Sequence, residues 1–237
     1  MGKKYELTEE TKEFYGRTLY RIKALKDFGD VEVGDLGGYI ESESNLMQEG
    51  CAWVYGNAMV YGSARVCDNA KVYGDAKVFD NANVYGDAKV FGNANVYGDA
   101  MVLGSADVCG SANVYGSANV YGYADVRGDA DVCGSANVYG SANVYGYADV
   151  RGDADVCGDA EIKGKTDYIV FKNWWSSGRY FTWTRSNNMW KVGCFYGTRK
   201  ELVEKAYKDS ELSGREYERV VKYVESILAD EKKQRKQ

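Results

Sequence analysis

Two arginines set among aromatic rings are the residues of this chain best suited to chemistry. Arg179 and Arg185 stand in the run Trp174-Trp-Ser-Ser-Gly-Arg-Tyr-Phe-Thr-Trp-Thr-Arg185. A guanidinium presents a planar fork of donors and an indole presents a stacking face. Trp174, Trp175, Ser177, Arg179, Tyr180, Trp183 and Arg185 could therefore hold a nucleotide or another phosphate, with free N–H groups of the Ser-Ser-Gly turn assisting. The alternative is that the tryptophans form the core of a small domain. Thr198, followed by Arg199 and Lys200, is an anion site at a helix start if a ligand is present, and an ordinary N-cap if it is not.

Other chemistry is restricted by what the sequence lacks. It contains no histidine, so the usual general base near neutral pH and the usual imidazole metal ligands are missing. The six cysteines show no CxxC spacing, which argues against zinc and disulfides. We expect no catalytic residue, no metal and no cofactor. No run approaches the roughly 20 apolar residues of a membrane span and the first residues do not read as a secretory signal, so the expected location is the cytoplasm. The net charge of −5 is unevenly spread: residues 1–50 carry 7 basic and 11 acidic groups, 51–164 carry 7 and 14, and 165–237 carry 16 and 10. The basic, aromatic-rich end could attract an anionic ligand or an acidic protein surface.

The elements that position these residues follow from a strict repeat. Nineteen Val or Ile residues fall six apart from Val54 to Ile162, each with an Ala two places before it. In Ala-x-Val-x-Gly-x the Ala and Val share the period-2 geometry of a strand and point to one side, while the Gly or Asp after each strand takes a corner. A buried Val contributes roughly 1.5 kcal/mol or more, whereas ordering six residues costs roughly 6 to 12 kcal/mol, so one hexad cannot stand alone. Coils must stack, and a fixed hexapeptide period is the signature of a parallel β-helix.

Val-Tyr-Gly-Asn-Ala-Met and its successors over residues 52–164 resemble the hexapeptide-repeat family. The resemblance implies a left-handed parallel β-helix of triangular coils with three hexads per turn, hence about six coils here. It also implies homo-oligomers, with trimers common. The family is best known for acyltransferases with a histidine base and for carbonic anhydrases with histidine-bound zinc. This chain has no histidine, no looped insertion among its hexads and no threonine in the repeats, which sets those chemistries and the ice-binding version of the fold aside. Arg21-Ile-Lys-Ala-Leu-Lys-Asp-Phe-Gly-Asp-Val-Glu-Val-Gly-Asp-Leu-Gly-Gly-Tyr-Ile-Glu41 resembles the leading segment of bacterial and phage hexapeptide proteins often labelled transferases. Gly-Cys-Phe-x-Gly-Thr at 193–198 resembles their tail.

Residues 109–132 recur identically at 133–156. Twenty-four residues are four hexads, so with 18 per coil the second copy is rotated by one face. Cys109, Cys133 and Cys157 then lie on three faces, and so do any exposed arrays, which marks the stretch as scaffold or spacer. The residue after each valine is often aromatic (Tyr55, Tyr61, Tyr73, Phe79 and onward to Tyr145), forming ladders that either stack on themselves or offer an interface.

The expected fold is mainly β: an N-terminal β cap over 1–50, a β-helix over 51–164 and a C-terminal α+β module over 165–237. In the cap, Arg17–Leu25 and Val31–Val33 read as strands around an Asp27–Asp30 turn. In the module, Tyr168–Phe171, Arg179–Arg185 and Met189–Phe195 read as three strands. Two helices near 199–208 and 214–232 follow capping boxes at Thr198 and Ser213. On these grounds the expected function is a non-enzymatic binding or scaffold protein, viral or prophage in source. It would bind a host protein or sequester a nucleotide signal as a counter-defence factor through the C-terminal module. An acyltransferase-like protein and a structural virion component are the alternatives.

Overall fold

The computed structural model describes residues 2–175 and 177–234. Chain order begins with three strands, β1 (Tyr5–Phe14), β2 (Arg17–Ala24) and β3 (Leu36–Ile40). Nineteen two-residue strands follow, one per hexad, from β4 (Trp53–Val54) to β22 (Glu161–Ile162). Every third hexad pairs in parallel with an offset of 18 residues, as in Lys71↔Lys89↔Asp107↔Asp125, and the hexads thereby form three sheets around a prism. The inward Ala and Val columns are 0–1% exposed throughout. Corners that lack Gly use Asp: Asp68 and Asp80 take positive φ, and their carboxylates accept from Gly86 N and Gly98 N of the next coil.

The solenoid makes about seven coils, one more than the hexads alone supply. The extra coil comes from residues without the repeat: β3 pairs in parallel with the Met59–Val60 strand, and Leu46 bridges to Val66. Gly38 permits this approach, because a Cβ there would lie 2.6 Å from Ala58 O. The N-terminal cap differs from expectation in two ways. β1, obscured by its glutamates, is a full strand antiparallel to β2, and Val31 makes only an isolated bridge to Phe28 instead of starting a strand.

A coil at either end lacks a neighbour, so its backbone groups need other partners. At the N-terminal end, the fully buried Asn45 amide donates to Gly62 O and Ala64 O, and Lys4 Nζ donates to Glu49 O and Ala52 O. At the C-terminal end, acceptors of the following sheet meet the orphan N–H groups. Tyr168 Oη accepts from Arg151 N, Thr182 Oγ1 from Asp155 N, Ser186 Oγ from Glu161 N and Asp167 Oδ2 from Lys163 N.

That sheet has four antiparallel strands, not three: β23 (Tyr168–Lys172), β24 (Tyr180–Thr184), β25 (Met189–Val192) and β26 (Phe195–Gly197). Alternation along β24 splits its faces. Thr182 turns to the solenoid end, while Phe181 and Trp183 join Trp190, Val192, Leu202, Val220, Val221 and Val224 in a second core. The helices are α1 (Arg199–Asp209) and α2 (Glu211–Gln234). The Thr198–Glu201 capping box forms as expected. The second box does not: Ser213 lies inside α2, and its N–H donates to Ser210 Oγ, three residues upstream.

Candidate functional site

The C-terminal residues singled out from the sequence do not converge. Arg179 and Arg185 flank β24 at opposite ends, and six residues of strand separate them by roughly 20 Å. Arg185 is committed to the fold: its guanidinium donates to Glu231 of α2 through both Nη atoms and to Thr166 O through Nε, beside the Trp183 ring. Trp183 is buried, its Nε1 donating to Asn188 Oδ1. Thr198 is occupied as the α1 cap, Arg199 pairs with Glu225, and Lys200 pairs loosely with Glu204 at 3.8 Å.

The loop before β24 is organised by the fully buried Asn173. Its N–H donates to Arg179 O, its Nδ2 donates to Ser177 Oγ, and its Oδ1 accepts from Trp175 N. Ser177 Oγ also accepts from Arg179 N at 3.4 Å, so that N–H is in use; Ser176 lies outside the described residues. Trp175 packs on Phe181 and Tyr217, Trp174 is exposed, and Tyr180 lies under Lys172.

Trp183 lines two cavities of about 300 Å³, one with Arg199 and one with Arg185, and Arg179 lines a roomier cleft. This cleft, about 500 Å³, runs between the β25–β26 hairpin (Val192, Cys194, Phe195), α1 (Leu202, Lys205, Ala206, Asp209) and Tyr217 of α2. Leu202, Lys205, Ala206 and Asp209 share one helix face at i, i+3, i+4 and i+7. That spacing was present in the sequence; the hairpin and Arg179 opposite it depend on tertiary packing.

A second cluster lies on the solenoid face that carries Lys71, Lys89, Asp107 and Asp125 in successive coils. Burial, reinforced by the Asp125 carboxylate and opposed by Lys89, pushes the Asp107 carboxyl above its ordinary value. Asp125 Oδ2 accepts from Arg127 at 2.9 Å, while Asp125 Oδ1 is buried without a hydrogen-bond partner among the described residues. A carboxyl held above its usual range is a stronger proton acceptor than an ordinary carboxylate. Sequence reading missed Asp107 because its neighbour in space is 18 residues away in the chain.

Among the described residues, no group of three or more Cys, Asp or Glu side chains is arranged to hold a metal ion, and no helix is long and apolar enough to cross a membrane.

No family profile matches the chain. A 61-residue segment is 39% identical to a protein of Escherichia coli (strain K12) named an uncharacterized acetyltransferase. The match covers 22% of this chain and 19% of the relative, so the chain spans about a fifth of the length of the curated protein it resembles. This corrects the expectation of a non-enzyme. That expectation rested on the missing histidine, yet part of the chain is similar to a protein named for acetyl transfer.

Proposed function

We propose that the protein is an acyltransferase-like member of the hexapeptide-repeat class, moving an acyl group from a thioester donor to an amine or hydroxyl. The observation that carries this reading is the segment similar to a named acetyltransferase, in a chain folded as a parallel solenoid with 18-residue coils. Asp107 is the base in this reading. It takes the acceptor's proton as nitrogen or oxygen bonds to the acyl carbon, and returns it to the departing thiolate. Lys89, its partner in the preceding coil, offsets the negative charge that develops on the thioester oxygen. The reading that gives recognition to the C-terminal arginines has less support, since Arg185 is held by Glu231.

The test is release of free thiol from acetyl-CoA in the presence of a panel of amines and alcohols, alongside calorimetry of acetyl-CoA binding. Asp107→Asn should lower turnover about 100-fold or more with an unchanged circular dichroism spectrum, because Asn already occupies the equivalent outward position of this sheet at Asn143. Absence of both binding and thiol release would remove the proposal.

A further inference from the structure

We infer that the cleft between the β25–β26 hairpin, α1 and Tyr217 binds a singly charged amphipathic oxyanion, an aliphatic or aromatic body carrying one carboxylate or sulfonate head. Binding in this cleft does not depend on acyl transfer. At about 500 Å³ the cavity suits a small organic molecule. Its floor is apolar: Val192, Leu202 and Ala206 are each 2–3% exposed and line it.

Charge selects the head group. Several cations elsewhere in this unit are paired, Arg185, Arg199 and Lys200 with glutamates and four more within α2, while Lys165, Lys172, Lys191, Lys208 and Lys232 lie outside the cleft. The two cations on the cleft wall, Arg179 and Lys205, make no ion pair among the described residues. Lys205 does not reach Asp209 even though the two are spaced i, i+4, where such pairs commonly form. Against these two cations the cleft sets one carboxylate, Asp209. A net charge of +1 balances a monoanion and leaves a nucleotide diphosphate undercompensated.

The geometry also restrains the guanidinium. A Cβ at Gly193, where φ is +55°, would lie 3.1 Å from Arg179 Cδ, so the arginine stem rests across the hairpin turn at the mouth of the cleft. Tyr217, which lines the cleft, has its phenol pushed above its ordinary value by burial.

The experiment is a fluorescence titration of the full chain with 8-anilinonaphthalene-1-sulfonate, followed by competition. Saturable binding is expected, displaced by octanoate but not by octanol at equal concentration, and displaced less readily by ADP than by octanoate. Arg179→Met combined with Lys205→Met should weaken dye binding about tenfold or more, while Lys200→Met, on the same helix but outside the cleft, should leave it unchanged. The inference is overturned by no saturable binding, by octanol competing as well as octanoate, by ADP competing better than octanoate, or by a folded double variant that binds within about twofold of wild type. Because the competition arms use the unaltered protein, they decide the matter even if the double variant fails to fold.

Discussion

Asn45 and Lys4 show how single side chains close an open solenoid. Asn45 spends both amide protons on carbonyls that a preceding coil would otherwise serve. Asn45→Ala strands them in a buried site, and chemical denaturation should register a loss of about 1 to 3 kcal/mol. Lys4 is a sharper case, because burial lowers its ammonium from 10.5 to about 8. In the unfolded chain the proton persists to about 10.5, so between these two values the unfolded state binds more protons and stability rises with pH. Below about pH 8 the cost of burying the charge is fully present. Unfolding free energies measured from pH 7 to 10 should therefore rise in wild type relative to Lys4→Met; a flat or falling difference would contradict the burial of the charged amine. The tyrosines whose values are raised lose stability only above about pH 10 and do so in both proteins.

At the level of elements, the outward rings stack on one another along the prism. On one face Tyr61, Phe79, Tyr97 and Tyr115 form a continuous ladder with centroids 4.8–5.0 Å apart and planes within 3° of parallel. Shorter ladders, Tyr73 with Phe91 and Tyr121 with Tyr139, occupy the other two faces. The spacing is that of the coils, so the parallel sheet imposes the stacking geometry. Phe79 has a ring on each side, and Phe79→Ala should cost about 1 to 2 kcal/mol by denaturant titration and reduce the near-ultraviolet dichroism of the flanking tyrosines. No change in either signal would show the ladder to be energetically idle.

For the whole molecule, the repeat makes length adjustable but phase rigid. Pairing runs from i to i+18, while the duplicated block is 24 residues, so Tyr115 belongs to the face of Asn113 and Tyr139 to that of Asn137 in a different sheet. Deleting residues 109–132 rejoins an intact hexad series and should leave a folded protein about 6 Å shorter by small-angle scattering. Deleting 109–129 removes half a hexad more than a whole number of hexads, turns the inward columns outward beyond the junction, and should abolish cooperative unfolding. Equal behaviour of the two deletions would refute the phase argument.

The prism follows from the hexads alone, because each one states locally which two residues face inward and where the chain turns, and stacking is what buries them. The sequence also placed α1 with its Thr198 cap, the three faces of Cys109, Cys133 and Cys157, and the strands of the C-terminal sheet except β26. It did not give β1 or the extra coil, whose residues follow no period and are ordered by partners distant in the chain. It misplaced the start of α2, since Ser210 and Ser213 compete for the same turn. The chemistry was the least legible part: burial among stacked coils raises the Asp107 carboxyl, Arg185 is claimed by Glu231 46 residues later, and Arg179 shares a cleft with Lys205 only because the hairpin and α1 pack side by side. Proton affinity and charge balance depend on neighbours in space, and only tertiary packing chooses those neighbours.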